Sequence, residues 1–218
     1  MSQHQSDDYP AYAASEKLAD GAVHLAGIGA ALVAITAFLA QHAQMVSTGI
    51  LTGLTIYWVG LVAMLSISFC YHMTPSERLR PALRRADHAT IFIKIAGTYT
   101  PFVIAIGTGF GYVILGLVWV LALFGAGTKL FMWRKPGRLN AALYLGLGWI
   151  SVLLIWSIFQ ASPAAGWCAV AGGLLYSGGV VFYHWDSLKF ANAIWHGFVV
   201  VASGFFFASV WLCTTALS

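Results

Sequence analysis

ILTGLTIYWVGLVAMLSISFCYH, residues 50–72, holds no charged side chain and closes on a serine and a histidine four apart, Ser68 and His72. Wound as a helix at about 1.5 Å per residue, a run of this length crosses the ~30 Å hydrocarbon core of a bilayer. A short basic segment follows, and the next apolar run opens on Arg84-Arg85-Ala86-Asp87-His88. A lipid-crossing helix that ends in polar groups, facing a second that begins with them, predicts a polar centre held inside a membrane bundle.

The same period repeats along the chain. Apolar runs of similar length span residues 21–40, 50–72, 87–106, 112–131, 139–159, 164–184 and 193–212. The expected fold is therefore an all-α integral membrane protein, a bundle of seven transmembrane helices over residues 21–215. Residues 1–20 read as a polar tail with an interfacial turn at Ser15-Glu16-Lys17. Composition agrees. Of 218 residues 60% are hydrophobic and 8% charged, where a soluble domain carries about a quarter charged. With lipid as solvent, each span must satisfy its own backbone hydrogen bonds. The tail lacks the basic-then-apolar order of a cleavable signal. Cys70, Cys168 and Cys213 lie inside apolar runs without paired spacing, which argues against disulfides and against a Cys-x-x-Cys metal site.

Local signals set the boundaries. Gly107-Thr108-Gly109-Phe110-Gly111 predicts a tight turn between the third and fourth spans. Ser162-Pro163 predicts an N-cap followed by proline in the first helical position. Thr74-Pro75-Ser76-Glu77 has capping-box spacing and predicts a short surface helix. Pro101, inside the third span, predicts a kink beside the freed carbonyl of Gly97, with Thr98 and Thr100 placed to help satisfy it. The nine tryptophans and nine tyrosines suit interfacial belts and packing rather than chemistry.

Charge gives the expected orientation. Ten of the eleven Lys and Arg fall in the tail, in the second-to-third and fourth-to-fifth connections, or just before the last span; Lys94 is the exception. Cytoplasmic loops collect Lys and Arg, so the N-terminus is expected inside and the C-terminus outside, the reverse of a rhodopsin-like receptor. The net charge of +4 follows from this loop bias and points to the membrane, not to nucleic acid.

Orientation places Ser68 and His72, Asp87, and Asn192 and His196 at one depth near the cytoplasmic face. Intramembrane polar groups face the bundle interior and pair. Two imidazoles with a carboxylate are the donor set of a zinc site, catalytic if a position stays open for water. His4, His42, His88 and His184 read as interfacial. Lys94 lies two turns beyond Asp87 on the same face, and the expectation is that it pairs with Asp87 or puts positive charge into the cavity, partly replacing a metal.

Ser68-x-x-x-His72, Arg84-Arg85-Ala86-Asp87-His88, Ala96-Gly97-Thr98-Tyr99-Thr100-Pro101-Phe102 and Ala193-Ile194-Trp195-His196 resemble the signature segments of the hemolysin III family, bacterial relatives of the progestin and adiponectin receptor family; Glu16 and His24 also fit. The resemblance covers essentially the whole chain. It implies a multi-pass protein of the bacterial cell membrane with one zinc ion, His72 and His196 as ligands, Asp87 on the water that the metal activates, and Ser68 beside them. The chain departs from the pattern at Asn192, where a histidine ligand is usual, and at Phe206. Asparagine is a weaker zinc ligand than imidazole, so the implied set is His72, His196 and Asn192 with lowered affinity. Three functions follow: a zinc-dependent hydrolase of lipid amides, a non-enzymatic lipid-sensing or membrane-homeostasis protein with a degenerate site, and a pore-forming hemolysin. The partner in each is membrane lipid; oligomeric state stays open.

Overall fold

The computed structural model describes residues 12–132, 138–185 and 187–218, with backbone alone at 138 and 139. His4, Arg134, Lys135 and the side chain of Arg138 fall outside the described residues. Every regular element among the described residues is a helix: α1 Ala14–His42, α2 Thr48–Met73, α3 Arg80–Ile106, α4 Gly109–Phe131, α5 Arg138–Trp149, α6 Val152–Ala161, α7 Pro163–Tyr183 and α8 Ala191–Ala216. Six are long and apolar enough to cross a membrane, and α5 with α6, bent by 40°, passes the same test as a pair and counts as a seventh if the two halves form one broken span. The outer surface is apolar: Val33 is 70% exposed and Phe124 73%. Side chains of that size left bare on this scale need lipid as solvent. Hydroxyls on the lipid face turn inward, as Thr36 to the carbonyl of Leu32 and Thr55 to that of Leu51.

Most predicted boundaries match. Gly107 takes a left-handed conformation, φ 70°, and Thr108 caps α4 by accepting from the Gly111 amide at 3.2 Å. Ser162 caps α7 through the Ala165 amide at 3.3 Å, with Pro163 following. Other expectations need correction. The polar residues 14–20 are helical, because the Glu16 carboxylate accepts from the Ala13 amide at 2.9 Å and holds the first turn. No separate helix forms at Thr74–Glu77: the Thr74 hydroxyl accepts from the Ser76 amide and its carbonyl from the Arg80 guanidinium, so the turn closes on itself and α3 starts at Arg80. That helix continues through Pro101 to Ile106. The Thr98 and Thr100 hydroxyls reach the carbonyls of Lys94 and Ala96, not that of Gly97, because a threonine folds back one full turn along its own helix.

The fifth span is two helices, and the break is satisfied from α3. The Tyr99 hydroxyl lies 2.8 Å from the Leu147 carbonyl oxygen and 2.7 Å from that of Gly148. The Trp149 indole donates to Ser177 on α7 at 3.1 Å.

α3 is the central element, packed on α2 and α4 and touching α5, α6 and α8; α1 bridges α2 and α8, and α7 lies along α8. The α2–α3 crossing is close because of glycine. A Cβ on Gly53 would sit 3.2 Å from Cα of Pro101, and one on Gly60 3.4 Å from Cα of Lys94. Small residues at such crossings let backbones approach and gain packing that lipid cannot supply. Gly53→Ala is expected to push the pair apart and cost about 1 kcal/mol, measurable as a lowered midpoint of unfolding in mixed detergent.

Candidate metal centre

Three helices carry the same device near one end of the bundle: a polar residue and a histidine one turn on, Asp20 and His24 on α1, Ser68 and His72 on α2, Asn192 and His196 on α8. Residues four apart overlie on one helix face, and the packing of α1 between α2 and α8 turns these faces toward each other. The ring centroids of His24 and His196 are 4.3 Å apart, those of His72 and His196 4.8 Å, and those of His24 and His72 6.0 Å.

Asp20 is the hub. Its side chain is 4% exposed. One oxygen lies 2.6 Å from Nδ1 of His196, and the other accepts from the Asn192 amide at 3.0 Å. The same Asn192 nitrogen lies 3.1 Å from Nδ1 of His72. Nδ1 of His24 lies 2.9 Å from the Asp20 backbone carbonyl oxygen. Proton positions follow from these partners. Beside a carboxylate and a carbonyl, Nδ1 of His196 and of His24 are donors, which leaves the lone pair of each neutral ring on Nε2. His72 is the opposite. Asn192 must present its NH2 group to the Asp20 carboxylate, so the same group also donates to His72, whose Nδ1 accepts and whose Nε2 carries the proton.

Asp20, His24 and His196, all buried, offer ligand atoms that lie within 4.8 Å of one another. The set suits a divalent ion of borderline softness. Two imidazoles and a carboxylate are a common zinc triad with one position left over. The nitrogens turned toward the Asp20 carboxylate are Nδ1 of His196 at 2.6 Å and Nδ1 of His24 at 3.6 Å, so an ion beside that carboxylate would take the place of the Nδ1 protons. Glu16, one turn before Asp20, also accepts from the backbone amide of Phe190 at 2.9 Å, in the segment entering α8. That contact fixes α1 against α8 and so the distance from Asp20 to His196.

Asp87 and Ser68 line the cavity that His24 and His196 also line, and both are buried. The cavity measures about 200 Å³ and extends from this polar end past Ile95 to Phe102 and Ile158. His88 is buried rather than interfacial, with Nδ1 2.9 Å from the Arg84 carbonyl oxygen and 3.7 Å from an Asp87 carboxylate oxygen. His184 is exposed, and His42 packs against Phe38 and Trp211. Lys94 does not pair with Asp87; its ammonium donates to the Tyr176 hydroxyl at 2.7 Å.

A family profile described as Haemolysin-III related matches residues 12–207. The chain belongs to this family. It is 31% identical to the Hemolysin-3 homolog of Bacillus subtilis (strain 168) over 201 residues, 91% of this chain and 94% of that protein. It is 32% identical to Hemolysin-3 of Bacillus cereus over 199 residues, 89% and 90% of the two chains. Membership and the apolar helices together make it a multi-pass membrane protein.

What sequence reasoning passed over in this haemolysin-III-related chain is Asp20, assigned to the tail. His24 entered only through resemblance. The signal was present: Asp20-Gly21-Ala22-Val23-His24 has the same polar-x-x-x-His spacing as the two segments on α2 and α8.

Proposed function

We propose that the protein is a metal-dependent hydrolase of lipid amides, with one zinc ion held by Asp20, His24 and His196, at the cytoplasmic face. Asn192 and His72 then serve as supports, and the carboxylate of Asp20 takes the place of the histidine that the family pattern has at position 192. The observation that carries the reading is that two histidines of the candidate triad, His24 and His196, line one largely apolar cavity together with Asp87 and Ser68. A zinc ion there would supply Lewis acidity and lower the pKa of water toward about 7.

The chain's own residues do the rest. The apolar wall seats the acyl chain and excludes bulk water. Asp87 accepts a proton from the attacking water, and Ser68 hydrogen-bonds the amide carbonyl oxygen. Water adds across the C–N bond, and carboxylate and amine leave. Purified protein is expected to hold one zinc per chain and to release fatty acid from a ceramide. Asp87→Asn should retain zinc while losing about 10²–10⁴-fold in rate. Zinc-loaded protein with no turnover on any lipid amide tested would remove the enzyme reading.

One observation favours a second reading, lipid binding without catalysis. Asp20, Asn192 and His72 already satisfy one another, as a metal-free structural network would. Elemental analysis separates the two readings. Pore formation gains no support from the cavity, whose wall beyond the polar end is mostly apolar, with Lys94, Thr98, Tyr99, Ser151 and Tyr176 as scattered polar groups.

A further inference from the structure

Lys94 is 3% exposed, lies in the interior of a membrane-spanning helix and lines the cavity. Its ammonium has three donors. The Tyr176 hydroxyl takes one at 2.7 Å and lies 2.7 Å from the Ser203 hydroxyl. The rings of Tyr176 and Phe206 sit 4.6 and 5.4 Å from the nitrogen. Hydroxyl and ring faces favour a cation, yet among the described residues no carboxylate pairs with it. A buried charge without a counter-ion is expensive in a bilayer. The space beside this one is apolar, walled by Ile95, Phe102, Leu154, Ile155 and Ile158.

We propose that this cavity binds a single-chain lipid carboxylate, its head on the Lys94 ammonium and its tail toward Phe102 and Ile158. The observations that point to it are an uncompensated cation nine-tenths buried and an adjoining apolar chamber. From Lys94 to Phe102 is eight residues of helix, about 12 Å, the reach of a medium-length acyl chain. A carboxylate matches the head site because its single charge balances a single ammonium. A phosphate monoester would bring further charge and oxygens to a place with few donors. Trp149 and Val152 line the cavity and are also 44% and 51% exposed on the lipid face, so the wall between α5 and α6 is one side chain thick and gives a route from the bilayer. The site does not depend on the metal: Lys94 is about 10 Å along α3 from Asp87.

The test uses the full chain in phosphatidylcholine nanodiscs and a dodecanoate probe carrying a photoactivatable diazirine at its tail, with adducts mapped by mass spectrometry. Adducts are expected on α3 and α6 near Phe102 and Ile158. Unlabelled dodecanoate should compete at least tenfold better than dodecanol. Lys94→Met, which keeps the length of the side chain and removes its charge, should abolish that preference. Treating the protein with a metal chelator should leave it unchanged, so failure of the hydrolase reading and failure of this one are distinguishable. Equal competition by dodecanoate and dodecanol, adducts confined to the outer surface, or an undiminished preference in folded Lys94→Met would each overturn the proposal. The wild-type comparison decides it even if the variant does not fold.

Discussion

Asp20→Ala is expected to produce the largest loss of any single substitution in this protein. The Asp20 carboxylate is the acceptor for His196 on one oxygen and for Asn192 on the other. His196 is buried and cannot turn to water, while Asn192 is half-buried. A buried donor left without an acceptor costs about 1–3 kcal/mol, and a smaller share from Asn192 places the loss on the order of 2–4 kcal/mol. Unfolding of the metal-free protein in mixed detergent measures it. Asp20→Asn separates stability from ligation. Its amide nitrogen would face Nδ1 of His196 or its oxygen would do so, but not both donors can be served as before. Stability should fall by less than in Asp20→Ala, because the amide keeps one acceptor, while zinc affinity falls by about 10–100-fold or more, since a neutral amide oxygen is a poorer zinc ligand than a carboxylate and even the loss of a supporting group costs that much. Wild-type zinc affinity in Asp20→Asn, read by competition with a chelating dye, would exclude Asp20 from the metal centre.

Tyr99→Phe should give the second-largest effect, and it acts far from the polar cluster. The Tyr99 hydroxyl serves the carbonyls of Leu147 and Gly148 at the end of α5. At the break between α5 and α6 the Gly148 carbonyl also accepts from the Ser151 amide at 3.1 Å, so the Leu147 carbonyl depends most on Tyr99, and hydrocarbon offers it no donor. Tyr99→Phe removes one oxygen atom while keeping the ring. The expected cost is about 2 kcal/mol, with faster hydrogen exchange confined to residues near 150. A second outcome follows because the break forms part of the cavity wall: lipid-probe labelling of α6 should become less specific. An unfolding midpoint equal to the wild type would mean that the break is satisfied by another donor.

The bundle was legible because transmembrane helices are a consequence of composition. Runs near 20 apolar residues can do little else in a bilayer, and short connections with glycine, proline or capping serine mark where they stop. Ser162-Pro163 and Gly107 behaved as their chemistry requires. Errors fell where a side chain chose between equivalent local partners. Thr74 closed a turn rather than opening a helix, and Glu16 extended α1 into what reads as a polar tail. No local rule predicts that Tyr99 on α3 will satisfy carbonyls almost fifty positions along the chain, so the fifth span reads as one helix.

By itself the sequence determined the class of fold, the family and two of the helices whose histidines converge, those of His72 and His196, since each of these depends on periodicity and residue type along a single segment. Only the tertiary structure decided which groups are partners. It made Asp20 the hub, put Asn192 between that carboxylate and His72, and turned Lys94 away from Asp87 toward Tyr176. The physical reason is that a buried polar group is stabilised by whichever complement lies within about 3 Å, and helix packing, not position in the chain, sets what is that close.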